Sequence, residues 1–143
     1  MISTNRKARF DYEVVEKVEA GMELKGSEVK SLREGKVVMG DAYAAVDGGQ
    51  AYLHSLHIPE YANGAYANHD PVRVRRLLMH RQEIDKLYQR VREKGMTLVP
   101  LELYFKNGRA KVMIGLVRGK ARHDKRASIR ERDEARAAAR EEA

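Results

Sequence analysis

Histidines, glutamates and one glycine–lysine segment are the residues of this sequence whose types could support metal, acid–base or phosphate chemistry. His54 and His57 lie three positions apart in a predicted strand, so their side chains point to opposite faces and cannot bind one metal ion. The segment Gly115–Lys120 superficially suggests a phosphate loop, but it is one residue short of the Walker spacing and lacks the final Ser/Thr. The glutamates between residues 13 and 19 form a run of exposed acids, and no serine has the glycines of a nucleophile elbow. We therefore expect no metal, no cofactor and no enzymatic activity.

Positive charge is the chemical feature that the sequence does carry. The chain has 143 residues and a net charge of +7, which favours an anionic partner such as nucleic acid or a membrane surface. No apolar run approaches the roughly 18 residues that a bilayer span requires, and the N-terminus does not look like a signal. The absence of cysteine fits a reducing compartment. We expect a cytoplasmic protein that meets its anionic partner there and does not bind a membrane.

A hairpin over residues 97–120 is the element that we expect to position much of this charge. Asn107-Gly108 is the dipeptide of a type I′ turn, because both positions tolerate positive φ. Counting from that turn places four apolar residues opposite four others on one buried face, namely Val99, Leu101, Leu103 and Phe105 against Leu116, Ile114, Val112 and Ala110. The solvent face then carries Glu102, Tyr104 and Lys106 against Met113, Lys111 and Arg109. A slip of one residue would bury the lysines, so the register should be strongly specified.

The other elements predict a small, closed, OB-like antiparallel β-barrel over residues 1–120, with one main helix and one or two short helices. They are, in chain order, a basic arm at 5–9, a strand from Phe10 broken at Ala20-Gly21, a short helix capped by Ser27 and ended by Gly35, a hairpin of 41–46 and 50–58, a loop over 60–70, a strand over 72–79, and a helix of about 14 residues from the His80 cap to Gly95. Closure hides the sheet edges, and such barrels bind nucleic acid through a strand face and adjoining loops.

Residues 121–143 form a basic tail of different composition. Its alanines, arginines and glutamates favour a helix, but Ile129 is its one large aliphatic residue, so it has no apolar stripe to dock on a core. We expect this tail to be disordered alone and helical only against a partner.

Eight short motifs occur in a specific order along the chain. They are Asn5-Arg-Lys-Ala-Arg-Phe-Asp-Tyr12, Glu19-Ala-Gly21, Leu24-Lys-Gly-Ser-Glu-Val-Lys-Ser-Leu-Arg33, Asp70-Pro71, Thr97-Leu-Val-Pro-Leu101, Tyr104-Phe-Lys-Asn-Gly108, Gly119-Lys120 and His123-Asp-Lys-Arg126. Together they resemble the SmpB family, the SsrA-binding proteins of bacteria. The resemblance implies an OB-like barrel that binds the tRNA-like end of transfer-messenger RNA (tmRNA) and delivers it to ribosomes stalled on messages without a stop codon. It also implies that elongation factor Tu binds the same RNA, and we expect the protein to be a monomer.

The resemblance assigns the elbow of the tRNA-like domain to Asn5, Glu19, Leu78 and Lys111. A carboxylate such as Glu19 suits exocyclic amino groups of unpaired bases better than phosphates. For Leu78, the sequence alone favours a buried core leucine over an apolar platform for a nucleotide. Further candidate contacts are basic residues and one tyrosine that would position the RNA, although most of the basic residues, taken singly, are better explained as surface charges: Lys7, Arg9, Lys30, Arg33, Arg75, Arg76, Tyr104, Lys106, Arg109 and Lys120.

In the tail, the resemblance places a short polar cluster near the decoding centre of the ribosome and a row of arginines along a helix in the empty message channel. The cluster consists of His123, Asp124, Lys125 and Arg126, and the row of Arg130, Arg132, Arg136 and Arg140. Two alternatives stay open at this point. A structural ribosomal protein would share the basic barrel and tail but be present in every subunit. A nonspecific single-strand binder would need more exposed aromatics than two Phe and seven Tyr readily supply.

Overall fold

A computed structural model of the protein describes residues 1–61, 68–92 and 95–119. These residues form seven strands and three helices. In chain order they are β1 (Ser3–Thr4), α1 (Arg6–Asp11), β2 (Tyr12–Met22), α2 (Gly26–Arg33), β3 (Tyr43–Asp47), β4 (Gln50–His54), β5 (Arg75–Leu78), α3 (Arg81–Arg92), β6 (Met96–Lys106) and β7 (Arg109–Gly119). The predicted tail, with Lys120, and part of the predicted loop at 60–70 lie outside the described residues.

The strands pair antiparallel in a ring. The order runs β6–β3–β4–β5–β2–β7, and β7 returns to pair with β6 along their whole length. One pair, Ala44 with Leu98, joins β3 to β6, and β1 adds to β6 beside it through Ser3 and Leu103. The prediction of a mainly β, closed antiparallel fold is confirmed, and closure removes the long sheet edges that would otherwise invite aggregation.

The inside of the ring is filled by aliphatic side chains, and Leu53, Leu77, Leu103, Ile114 and Leu116 are almost fully buried there. Helix α3 packs on this core through Ile84 and Leu87, three residues apart, as its apolar spacing predicted. Its N-terminus also agrees with the predicted start at His80, because the backbone N–H of His80 donates to Glu83 Oε1 over 3.3 Å. No helix among the described residues is both long and apolar enough to span a bilayer.

The predicted register of the β6–β7 hairpin is confirmed near its turn, but the prediction is wrong beyond a bulge. Asn107 and Gly108 have φ of 53° and 75°, as a type I′ turn requires, and Leu103 and Phe105 pair with Val112 and Ala110. The register shifts between Pro100 and Glu102. Val99 therefore lies opposite Gly115 rather than Leu116, and Leu101 has no partner opposite it. A proline in a strand favours this irregularity because it cannot donate to the ladder.

The bulge moves Val99 and Leu101 out of the ring interior, contrary to the prediction that all eight apolar residues share one face. They form a second small core with Ala8 and Val117, on the outside of the ring and covered by α1. A Cβ on Gly115 would lie 2.7 Å from Leu101 Cδ1, so the glycine is needed for this packing. The extra residue in β6 thus creates the apolar surface against which α1 packs.

Three further local predictions are corrected by the structure. Residues 6–11 form α1 rather than an arm and the start of a strand, because Asn5 caps that helix. Strand β2 is not broken at Ala20-Gly21, since Gly21 pairs with Leu78 on one side and Lys111 on the other. Helix α2 begins after Lys25, and Ser27 instead bonds His69 Nδ1 over 2.8 Å through its hydroxyl.

The turn predictions hold elsewhere. Gly35 follows α2 with φ of 75°, and Gly48 and Gly49 connect β3 to β4 with φ of 58° and 77°. Strand β4 ends at His54, earlier than expected, where Ser55 adopts a φ of 60°. These positive angles explain why glycines stand at these turns.

Candidate nucleic-acid interface

Four residues on four neighbouring strands lie in one row on the outside of the ring. Tyr104 of β6 pairs with Lys111 of β7, Lys111 with Gly21 of β2, and Gly21 with Leu78 of β5. The residues that flank them in each strand, such as Leu103 and Val112, point into the core, so the row faces outward. We call this set the β6–β5 row.

Leu78 is the apolar end of the β6–β5 row, and 49% of its surface is exposed. The sequence-based preference for a buried core leucine is therefore wrong, because the alternation along β5 buries Leu77 and turns Leu78 to solvent. Two open pockets, of about 220 and 440 Å³, meet at Leu78, Gly21 and Lys111. An exposed leucine between open pockets can accept a flat apolar group.

Because Gly21 has no side chain, the surface between Leu78 and Lys111 is recessed. A Cβ at this position would lie 3.3 Å from Leu78 Cβ and 3.6 Å from Lys111 Nζ. The missing side chain therefore lets the lysine ammonium and the leucine approach each other across β2. Sequence reasoning interpreted Gly21 as a strand break, whereas a glycine inside a strand also signals the close approach of another group.

Glu19 lies beside the row and is held by two donors. The Tyr104 hydroxyl donates to Glu19 Oε2 over 2.5 Å, and Lys106 Nζ donates to Oε1 over 3.4 Å. The Tyr104 hydrogen bond, together with Lys106 and Lys111, lowers the pKa of Glu19. Partial burial and the Glu19 carboxylate raise the pKa of Tyr104 to about 12. At neutral pH, Glu19 is therefore an oriented acceptor and Tyr104 a donor.

Basic side chains border this carboxylate. Lys106 pairs with Arg109 next to the turn, and both are exposed on the same face as Lys111. A pocket of about 410 Å³ lies between Glu19 and these three cations. The predicted solvent face of the hairpin is thus confirmed, and the structure joins it to Glu19 and Leu78 in one surface. Arg76 lies two residues before Leu78 on the same strand face, with 3.9 Å between its guanidinium and Glu23.

Arg75 does not belong to this surface, and its assignment as a phosphate contact is wrong. Its side chain is fully buried, with Nε donating to Glu28 Oε2 over 2.5 Å and Nη1 to the Leu56 carbonyl over 2.6 Å. Arg73 also donates to Glu28. Burial alone would raise the pKa of Glu28, but these hydrogen bonds lower it overall. The pair ties α2 to β5, a role that sequence reasoning missed because Arg75 and Glu28 are 47 residues apart.

Asn5 is also a structural residue rather than an exposed contact. It is 2% exposed, its Oδ1 accepts from the Ala8 N–H over 3.1 Å, and its Nδ2 donates to the Pro100 carbonyl over 2.8 Å. The side chain thus caps α1 and fixes it to the bulged part of β6. Any effect of Asn5 on a ligand would act through the helix that it positions.

The remaining basic candidates are exposed but lie apart from the β6–β5 row or already have partners. On α1, Lys7 bonds Asp41 over 2.8 Å and Arg9 pairs with Glu102. On α2, Lys30 and Arg33 lie 5.5 and 5.8 Å from the ring centres of Tyr61 and Phe105. The structure therefore brings together Glu19, Leu78, Tyr104, Lys106, Arg109 and Lys111, with Arg76 close by, and leaves the other candidates elsewhere.

The tail residues predicted by resemblance lie outside the described residues, as does Lys120: His123, Asp124, Lys125, Arg126, Arg130, Arg132, Arg136 and Arg140. Among the residues that are described, no group of three or more histidines, aspartates or glutamates could hold a metal ion.

A closed antiparallel ring whose outside combines lysines, an oriented carboxylate and an exposed leucine defines a class, that of small β proteins with a surface suited to nucleic acid. Residues 2–143 match the family model described as SmpB protein. The chain belongs to the SmpB family. It is 54% identical over 133 residues to the SsrA-binding protein of Bdellovibrio bacteriovorus, covering 93% of this chain and 88% of that protein. It is 52% identical over 141 residues to that of Corynebacterium efficiens, covering 99% and 86%.

A solved structure gives the same result for the fold. One of its chains, in work described as "tmRNA-SmpB: a journey to the center of the bacterial ribosome", superposes with a TM-score of 0.71. The two chains are 49% identical, and the match covers 90% of this chain and 94% of the other.

Proposed function

We propose that this protein binds the tRNA-like domain of tmRNA and delivers that RNA to stalled ribosomes. The observation that carries the proposal is the β6–β5 row with Glu19 beside it, because one surface holds cations, a fixed acceptor and an apolar platform. The names of its relatives, SsrA-binding proteins, and a structural relative from work on tmRNA, SmpB and the ribosome support the same partner.

Each part of the surface has a distinct task in this proposal. Lys111, Lys106 and Arg109 would contact phosphates, which position an RNA without reading its sequence. Glu19 would accept from exocyclic amino groups of unpaired loop bases, and Leu78 would pack on one of those bases. The carboxylate repels phosphate, so it favours folded RNA loops that present base edges over uniform duplex.

The rest of the proposal concerns parts outside the described residues and other partners. The tail from residue 121 would enter the empty message channel near the decoding centre and become helical there. Elongation factor Tu would bind the same RNA rather than this chain. The protein would act in the cytoplasm as a monomer, by binding and without catalysis, a metal or a cofactor.

Sequencing the RNA that co-purifies with the full chain tests this function. The chain is expressed in a bacterium whose own copy is deleted, and the bound RNA is compared with that of a Glu19→Ala, Lys111→Ala double variant. We expect one RNA with a tRNA-like end to be strongly enriched by the wild type and depleted in the variant. Enrichment of ribosomal RNA alone, at one copy per ribosome, would instead indicate a structural ribosomal protein.

A further inference from the structure

A second carboxylate, Glu102, lies on the same outer face of the hairpin as Tyr104. Glu102 precedes Tyr104 by two residues on β6, so both side chains leave the strand on the same side. In the register of the sheet, Glu102 pairs with Met113 of β7, and Met113 pairs with Glu19 of β2. Glu102 and Glu19 therefore lie in one cross-strand line directly beside the β6–β5 row, where the proposed function places the phosphates of the RNA.

The two carboxylates differ in the charge of the group that contacts them. The Tyr104 hydroxyl, a neutral donor, lies 2.5 Å from Glu19, and Lys106 Nζ lies farther from that carboxylate, at 3.4 Å. Glu102 instead contacts the guanidinium of Arg9, with 2.5 Å between Oε1 and Nη2. A cation in direct contact cancels most of the field of a carboxylate at longer range. Glu19 is thus presented as an acceptor, whereas Glu102 is neutralised.

Arg9 reaches Glu102 from the side away from the β6–β5 row. It lies in the last turn of α1, and that helix covers Val99 and Leu101 on the outside of the ring. Along β6, Glu102 lies between these two residues and Tyr104. The side chain of Glu102 is 25% exposed and that of Arg9 is 46% exposed. An RNA bound on the row therefore comes closer to the carboxylate than to the guanidinium that neutralises it.

We propose that Arg9 supports RNA binding through Glu102, as a positioning residue whose guanidinium neutralises a carboxylate that would repel the RNA, rather than as a contact to a phosphate. The inference rests on the proposed function and deepens it, because it gives α1 a share in RNA affinity without an RNA contact. One uncompensated unit charge about 6 Å from a phosphate, in surroundings close to water, changes affinity by about threefold. A direct phosphate contact by Arg9 would be lost whatever residue stands at position 102, whereas the neutralising role exists only while Glu102 carries its charge.

A double-mutant cycle on binding of the isolated tRNA-like domain to the full chain tests this difference. We expect Arg9→Gln to bind about threefold more weakly than the wild type at about 0.1 M salt. Adding Arg9→Gln to Glu102→Gln should change the affinity much less, by under about 1.5-fold, because no carboxylate is left to neutralise. The loss in Arg9→Gln should also shrink at about 0.3 M salt, since added salt shortens the screening length.

Arg118→Gln is the matched control, because Arg118 forms the same kind of ion pair with Glu13, over 3.0 and 3.2 Å. Arg118 lies on β7 far from Lys111, at roughly 23 Å along the strand for a rise of about 3.3 Å per residue. That distance exceeds the screening length of about 10 Å at 0.1 M salt, so Arg118→Gln should bind as the wild type does. Thermal melting of every variant is measured in parallel, because a displaced α1 would not be restored by Glu102→Gln.

Three outcomes would overturn the inference. An unchanged affinity of Arg9→Gln would mean that Glu102 needs no neutralising. An equal loss on removing Arg9 in both backgrounds would indicate a direct phosphate contact, and an equal loss in Arg118→Gln would indicate dependence on net charge alone. If Arg9→Gln lowers the melting temperature, Arg9→Lys keeps the charge and must restore the affinity. A wild type that does not bind the tRNA-like domain would remove the proposed function as well, whereas wild-type binding with an unchanged Arg9→Gln contradicts this inference alone.

Discussion

The phenol of Tyr104 donates a hydrogen bond to the carboxylate of Glu19 from a strand that is not its neighbour, over 2.5 Å and across β7. The two residues are 85 positions apart in sequence. The bond uses one oxygen of Glu19, whose side chain is 34% exposed, and the carboxylate keeps lone pairs that can accept from a ligand. Tyr104 thus fixes the direction in which Glu19 presents its remaining acceptor sites.

Replacing Tyr104 by Phe should weaken binding of the tRNA-like domain without unfolding the protein. The change removes only the donor, so the expected loss is about 0.5–1.5 kcal/mol, the net value of one hydrogen bond. Glu19→Ala should cost more, about 1–3 kcal/mol, since it removes the base contact itself. Equilibrium binding of both variants and of the double variant measures the coupling. If the two losses simply add, Tyr104 does not act through Glu19.

Leu78→Ala should lower RNA affinity while leaving the melting temperature nearly unchanged. Leu78 is half exposed, so truncation removes little buried surface in the unbound protein. Covering it with a base would bury apolar area worth about 25 cal/mol per Å², so we expect a loss of about 1 kcal/mol in binding. Val74→Ala is the matched control, because Val74 is also 49% exposed and lies outside the row. Equal effects of the two variants would contradict a platform at Leu78.

Gly21→Ala tests the same surface from the strand beside it. The added methyl would lie 3.3 Å from Leu78 Cβ, which forces a shift of a few tenths of an ångström. The φ of Gly21 is not in the left-handed region, so the fold should tolerate alanine and the main effect should be weaker RNA binding. Gly26→Ala is the control, since nothing lies within 4 Å of its Cβ position. A normal affinity in Gly21→Ala would show that the RNA does not approach this groove.

Local patterns predicted the parts of the fold that local chemistry determines. Asn107-Gly108 determined the turn and the pairing as far as Glu102, and the spacing of Ile84 and Leu87 determined the buried face of α3. The same counting failed beyond Pro100, because the bulge forms where β6 packs against α1, and Asn5, which caps α1, is 95 residues from Pro100 in sequence. A two-residue period cannot show where an extra residue is inserted.

The candidate site was predicted unevenly for the same reason. The solvent face with Tyr104 and Lys111 followed from the hairpin register alone. Whether an arginine is a surface charge or a buried one depends on a distant partner, and Arg75 could not be told from Arg76 by composition. Only the fold shows that Glu28 lies against Arg75.

Deleting residues 121–143 should separate RNA binding from action on the ribosome. All four strands that carry the β6–β5 row end before residue 121, so the truncated protein should fold and bind the tRNA-like domain almost normally, with the same steep salt dependence. Tagging of proteins on stalled ribosomes should be abolished. Thermal melting tests folding, equilibrium binding tests RNA affinity, and a tagging assay tests action on the ribosome, all on one preparation. A tenfold loss of RNA affinity would contradict this division of tasks.

Replacing Glu28 by Gln should destabilise the fold strongly, because Arg75 would stay buried without a counter-charge. Loss of one partner of a buried ion pair costs about 3–5 kcal/mol. Chemical denaturation at pH 7 measures the change. Asp85→Asn, which removes an exposed carboxylate 3.9 Å from Arg81, is the control and should cost less than about 0.5 kcal/mol.

The Glu28–Arg75 pair also predicts how the difference in unfolding free energy between the wild type and Glu28→Gln depends on pH. The folded state lowers the pKa of Glu28 below its ordinary value of 4.5. The stabilisation is therefore fully present above that value and is lost as the pH falls through the lower pKa of the folded state. We expect the difference in unfolding free energy to be constant from pH 7 to about 5 and to shrink on further acidification. A difference that stays constant down to pH 2 would mean that Glu28 stabilises through its shape and not through its charge.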